Sequence, residues 1–371
     1  MKLLWSALHG ALALTVMGFG LTAATAIAAN SYQVRNLVGD GGVPADHFDA
    51  NLQNGWGVAF NPNGFVWVAD NGTGLATLYD GLGNPQSLVV SIPSSTDSTG
   101  GGTPTGITFN STTDFAVRSG GSSGAAAFIF ASEDGMISGW SPRVRATQAV
   151  PAVFMASAVY KGVAIASNAG VNMLYAADFH GHKFDVFGPN FAPMKLPGAF
   201  VDPNLPANFA PFNIMALNGR LYVAYAQKEE NGDDEVAGSG LGIVDAYDTA
   251  GHLLQRVATG GTLNAPWGMA IAPSGFGDFS GNLLVGNFGD GTINAFDAIS
   301  GAPRGQLRTP SGDVITIDGL WGIAFGNNLS NQPSTTLFFA AGPNDEANGV
   351  YGRIDLTPAA SMMAPTKLQL K

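Results

Sequence analysis

Eleven side chains that carry oxygen or nitrogen stand at repeated positions near glycine-rich turns: Asn54, Asp70, Asn71, Asp134, Asp178, His180, Asn264, Asn287, Asp290, Asp318 and Asp345. Hard cations such as Ca2+ take six to eight oxygen ligands, so Asp70, Asp134, Asp178 and Asn287 form a candidate metal set. A cation held there would polarise a lactone or ester carbonyl. Asn54, Asn71, His180, Asn264, Asp290, Asp318 and Asp345 complete a candidate ligand-binding rim. Tight turns also select Asp and Asn, because these residues tolerate positive φ and bond to their own backbone. That preference accounts for the same positions without any ligand.

Two histidines, His180 and His182 in Phe179-His-Gly-His-Lys183, offer zinc ligation or base catalysis. Gly181 between them indicates a surface turn, and the sequence identifies no third ligand. The run from Lys228 to Glu235 holds five carboxylates in eight residues. Its spacing departs from a calcium-binding EF-hand loop, and the expectation is a solvated loop. Gly238-Ser-Gly240 lies in that acidic region rather than at a strand-to-helix elbow, no phosphate-binding Gly-Lys-Ser/Thr loop occurs, and there is no cysteine to act as nucleophile. Two function classes lead, with a structural surface-layer component ranked third. One is a binding module that takes a small molecule, peptide or protein on its rim; the other is a calcium-dependent hydrolase of lactonase or esterase type.

Such a rim exists only if distant residues converge, and an internal repeat provides for that. Trp56-Gly57, Thr105-Gly106, Lys161-Gly162, Phe212-Asn213, Trp267-Gly268 and Trp321-Gly322 each open an apolar run, at spacings of 49 to 56 residues. A second β-branched and aromatic run follows each, as in Phe65 to Asp70 and Leu283 to Asn287. Next come a polar turn and a third run such as Leu75 to Asp80 or Ile243 to Asp248. A weaker fourth run, for example Gln86 to Ile92 or Leu253 to Ala258, completes the unit. Four antiparallel strands repeated six times make an all-β, six-bladed β-propeller. Glycine in the second repeat position suits inner strands that converge on an axis. Asn213 departs from this, either lining the channel or marking a misalignment by one residue. Residues 31–356 form the domain, with Tyr32 to Val38 supplying the outer strand of the last blade. Ser94 to Gly102 and Ser119 to Gly124 read as flexible surface loops.

The hydrophobic fraction of 46%, with 51 glycines and 21 prolines, fits many short buried strands. Against 27 acidic residues stand only 16 basic ones, for a net charge of −11. This balance argues against nucleic acid, whose phosphates need clustered Lys and Arg. Lys2, an apolar stretch through Leu21 and the small residues Ala26-Ile27-Ala28 read as a signal peptide over residues 1–28. Secretion or a periplasmic location follows, with no membrane association after cleavage. Residues 357–371 read as a flexible C-terminal tail, and the expected state is a monomer.

Asn54-Gly-Trp-Gly-Val-Ala-Phe60, Val68-Ala-Asp-Asn-Gly72 and the segment from Trp267 through Gly291 resemble a group of secreted bacterial six-bladed propellers related to NHL-repeat and TolB-like proteins. The likeness runs over nearly the whole mature chain. It implies the propeller fold and no settled activity. Some members of that group end in a Pro-Glu-Pro sorting signal, which this sequence lacks, so release is expected over surface sorting. More distant relatives by fold include gluconolactonase-like hydrolases, amidating lyases and interaction modules, and fold alone does not choose among them.

Overall fold

A computed structural model describes residues 30–357. The expected signal peptide, residues 1–28, and all but Thr357 of the expected tail 357–371 lie outside the described residues.

Second strands such as Val66–Asp70, Phe128–Ser132, Leu283–Asn287 and Leu337–Ala341 are buried at every position. A strand whose two faces are both covered by neighbouring sheets needs apolar residues on both, so the runs lack polar alternation. Each such strand pairs antiparallel with an inner and a third strand. The result is six blades, with a single 3-10 turn at Gly277–Phe279 as the helical content among the described residues. The apolar clusters lie chiefly between adjacent blades. Trp67 and Trp140, for example, pack with Phe128, while Leu284 and Ile293 meet Leu337 and Phe339 across the next such junction.

Ring closure follows the expected course. Ser31–Gly39 pairs antiparallel with Val350–Thr357 and so becomes the fourth strand of the blade begun by Leu320–Phe325. A fifth, two-residue strand, His47–Phe48, adds parallel to its edge. First and last segments are thus held in one sheet.

The inner strands Gly55–Phe60, Pro104–Phe109, Tyr160–Asn168, Phe209–Leu217, Pro266–Ile271 and Leu320–Phe325 share one irregularity. In each, the register with the second strand slips across the residue pair that marks the repeat. A bulge adds a residue to one strand and re-aims side chains. At the same point the backbones of adjacent blades approach closely. A Cβ placed on Gly57, Gly106, Gly268 or Gly322 would lie 2.4–2.6 Å from backbone atoms of a neighbouring inner strand. Asn213 stands in the same column, in register: its Nδ2 donates to the Trp267 carbonyl oxygen at 2.9 Å, and its Oδ1 accepts from the Ile214 amide. The converging strands leave an axial cavity of about 10 Å³, room for one water at most.

Two expected loops turn out to be structured. Ser119 to Gly124 belongs to a hairpin of Ala116–Ser119 with Ser122–Ala125, turning on Gly120 and Gly121, both at positive φ. Val117 on its inner side is buried, which ties the hairpin to the blade. The acidic run closes on itself through a bridge between Lys228 and Glu235.

Replacing Gly268 by Ala forces a methyl against the Trp321 carbonyl oxygen, and overpacking of this kind lowers stability by about 1–3 kcal/mol. Gly100→Ala, with open space around the new methyl, stays within about 0.5 kcal/mol of the parent. Urea unfolding midpoints of the two variants check the contrast.

Candidate functional site at the axial rim

Bulging turns the residue before each axial glycine toward one mouth of the axis. Trp56, Thr105, Lys161, Phe212, Trp267 and Trp321 occupy those places, all of them buried. Trp56 stacks on Trp321 with ring centroids 3.5 Å apart, and Trp267 meets both edge-on at 5.9 and 5.7 Å. Phe288 lies over Trp321 at 4.0 Å. Indole faces attract cations, and the ammonium of Lys161 sits 5.1 Å from the Trp56 ring centre.

Lys161 is 2% exposed, so its charge requires partners. Nζ donates to Glu133 at 2.7 Å and lies 3.7 Å from Asp234. Burial lowers its pKa, but Glu133, Glu235 and Asp234 together more than reverse this and hold it above the ordinary lysine value. The side chain therefore remains an ammonium, an anchor for carboxylates rather than a nucleophile.

Hydrogen bonds carry the cluster around the ring. Trp321 Nε1 donates to Asn54, Asn54 to Asn71, Asn71 to Glu133, and Lys161 to the same Glu133. Across the axis, Trp267 Nε1 donates to the Lys161 carbonyl oxygen at 3.0 Å. All six blades thus contribute once Asp234 and Glu346 are included. Glu346 lies beside Asn54 and Trp321, and one of its oxygens is buried without a partner. It ends a run of three left-handed residues, Asn344, Asp345 and Glu346, with φ of 59, 52 and 62°.

Four carboxylates face one ammonium here, and two of them, Glu235 and Glu346, are shifted upward. Burial, with Glu346 and Asp234 nearby, pushes Glu235 up to about 7 against the pull of Lys161. Burial also raises Glu346, with Glu133 adding to it. Beside this group, His180 Nδ1 donates to Asp233 at 2.7 Å and Lys228 lies 3.3 Å from the same carboxylate, and hydrogen bonds from the two hold Asp233 below its usual range.

Of the residues singled out from the sequence, Asn54 and Asn71 belong to this cluster, and His180 borders it through the acidic loop. Asn264 donates to Asp290, and Asp290 accepts from Asn287, forming a separate patch in the fifth blade. Asp318 accepts from the Asn344 amide, and Asp345 is exposed in that turn. His182 faces the Phe209 carbonyl oxygen. The four candidate metal ligands are not brought together. Asp70 is fully buried near Thr77 and Asp49, and burial raises its pKa far above the carboxylate range. Asp134 accepts from the Ser95 and Met136 amides. Asp178 takes the Val159 and Gly181 amides and Lys183, and Asn287 donates to the Thr262 carbonyl oxygen. Among the described residues, no three His, Asp or Glu side chains are placed to hold one metal ion.

Sequence reading passed over Glu133, Lys161 and Glu346 as site residues and expected Glu235 in a solvated loop. Lys161 carried a usable signal, being a lysine in a repeat column otherwise filled by Trp, Phe and Thr. The acidic loop folds inward because that buried ammonium needs negative charge above it.

This fold and rim define a six-bladed β-propeller with an acidic axial mouth built around a buried lysine. The chain belongs to the family of two mimivirus proteins. It is 32% identical over 336 residues to the uncharacterized protein R648 of Acanthamoeba polyphaga mimivirus, covering 88% of this chain and 81% of that one. It is likewise 32% identical over 337 residues to the uncharacterized protein L690 of the same virus, covering 87% and 86%. Both relatives are viral, where the motifs alone led to a bacterial group. No family model matches the chain. Among solved structures, the fold is similar to the PQQ-bound aldose sugar dehydrogenase from Streptomyces coelicolor, with a TM-score of 0.52 and 14% identity over 89% of this chain and 99% of that one. It is also similar to virginiamycin B lyase from Staphylococcus aureus, with a TM-score of 0.50 and 14% identity over 88% and 100%.

Glu235 gives the rim a signature in pH. Its pKa rises from 4.5 to about 7 on folding, so the folded chain holds the proton more tightly than the unfolded one. The stability from this group is complete below pH 4.5 and lost as pH rises through 7. Glu235→Gln flattens the decline between pH 5 and 8 by about 1–2 kcal/mol after allowance for water at this partly buried group. Denaturant melts at the two pH values measure the slope, and an unchanged slope refutes the assignment.

Proposed function

We propose that this chain is an exported, NHL-related propeller that binds a cationic ligand, a small molecule or a peptide bearing lysine- or arginine-type groups, at its axial rim. The observation that carries this reading is the convergence of Glu133, Asp234, Glu235 and Glu346 on the single ammonium of Lys161. Glu235 and Glu346, raised by burial and further by acidic neighbours, are short of positive charge. An arriving cation supplies it and releases protons. The N-terminal pattern of Lys2, an apolar stretch and Ala26-Ile27-Ala28 supports export.

The test is anisotropy of a fluorescein-labelled penta-lysine peptide at low salt. Binding to the parent chain, weakened about tenfold or more by the double change Asp234→Asn and Glu346→Gln, is the expected result. Equal affinity in the variant, or equal binding of a penta-glutamate peptide, overturns it.

One contact favours a second reading, hydrolysis of an ester or lactone by general-base catalysis without the calcium expected from the sequence. Asp233 orients His180 through Nδ1 and leaves Nε2 open at the rim. On this reading His180→Asn slows turnover of p-nitrophenyl acetate or a γ-lactone by about 100-fold. A rate equal to the parent's removes His180 from any such role.

A further inference from the structure

A cavity of about 590 Å³ lies between the third and fourth blades, away from the carboxylate cluster. Phe184, Val186, Leu196, Phe200 and Leu205 line much of it, and Phe184 and Phe200 pack with ring centres 4.3 Å apart. Phe200 also packs against Tyr175 at 5.8 Å and Tyr247 at 5.3 Å, which fixes one wall. The floor carries a hydroxyl pair, Tyr225 with Tyr247 at 2.7 Å. Walls that divide about evenly between apolar and polar surface, at this size, suit a small organic ligand with an apolar body and a polar head.

Its charged lining sets two ammonium groups against one carboxylate, Asp185. The chain has four lysines among the described residues, and two of them, Lys183 and Lys195, line this cavity together with His182. Lys183 is held by Asp178 at 3.0 Å and Asp185 at 2.5 Å, so its charge is spent locally. Lys195 is exposed and pairs with no carboxylate among the described residues. In a chain of net charge −11, an unmatched ammonium beside an apolar hollow marks a place where an anion gains and a cation does not.

We infer that the cavity binds an anionic amphiphile, a small molecule with an apolar or aromatic body and one carboxylate or sulfonate. The apolar body lies against Phe184, Leu196 and Phe200, and the anionic head reaches Lys195. This site is independent of the rim.

The test uses 8-anilinonaphthalene-1-sulfonate as a fluorescent probe, with octanoate and its neutral analogue octanamide as competitors. The expected result is one saturable site per chain, from which octanoate but not octanamide displaces the probe. Lys195→Glu, at an exposed position that leaves the fold intact, weakens the probe about tenfold or more. Leu205→Trp, which fills the hollow, abolishes binding while near-ultraviolet circular dichroism stays native. Full affinity in Lys195→Glu, or octanamide competing as well as octanoate, overturns the inference. Loss of the probe in Glu346→Gln would also overturn it by moving the site to the rim, and that outcome leaves the cationic-ligand reading to stand on its own assay.

Discussion

Six inner strands meet at one axis, and the distance between their backbones there is too short for a side chain. That single steric constraint fixes the repeat. Glycine is required where a Cβ would fall 2.4–2.6 Å from a neighbour's backbone, and Asn213 fits only because its amide bonds the Trp267 carbonyl across the gap. The bulge at the same point follows, since a strand that must press inward at one residue cannot keep its register with the next strand out. The bulge in turn aims the preceding residue at the mouth of the axis. Fold and site are therefore set by the same pair of residues in each blade.

Five of the six aimed residues make a neutral plug of indole, phenyl and methyl surface; the sixth is a lysine. Burying an ammonium against Trp56 is unfavourable without anionic partners, and the surrounding loops are arranged to supply them. Glu133 arrives from the turn of the second blade, Asp234 and Glu235 from the long loop of the fourth, and Glu346 from the left-handed turn of the sixth. The compensation overshoots. Lys161 is satisfied by Glu133 at 2.7 Å, and Glu235 and Glu346 are raised by burial, with acidic neighbours adding to it. An internal ion pair alone would need one acid. The surplus gives the mouth its sign.

Architecture was legible in the sequence because it rests on a pattern that recurs six times. The Xaa-Gly pairs, the second strands and closure by residues 32–38 can all be read from spacing and residue class. Asn213 also stands where the repeat puts it. The site was less legible, for two physical reasons. Asp and Asn mark turns whether or not they bind anything, so Asp134 and Asp178 looked like ligands while serving their own hairpins. Glu133 and Glu346 stand beside the chosen Asp134 and Asp345, and which neighbour faces the axis depends on turn geometry that composition does not encode. The inward fold of the 228–235 loop is a response to Lys161, nearly 70 residues earlier, a long-range electrostatic effect invisible to local reading.

Closure of the axis has a consequence for how this propeller can select a ligand. With an axial cavity of about 10 Å³, nothing larger than water enters between the inner strands, so recognition by a deep channel is closed to it. Contacts must come from the mouth, where each blade offers one or two polar side chains and none offers a complete site. Selection by net sign and by hydrogen bonding around a ring is what such a surface does well. Selection by shape requires a hollow, and the fold places its hollows of ligand size off the axis, one of them beside Phe200 at the junction of the third and fourth blades. The scarcity of lysine marks both places: the buried ammonium of Lys161 gathers carboxylates at the mouth, while in the hollow Lys183 is held by Asp178 and Asp185 and Lys195 is left unpaired.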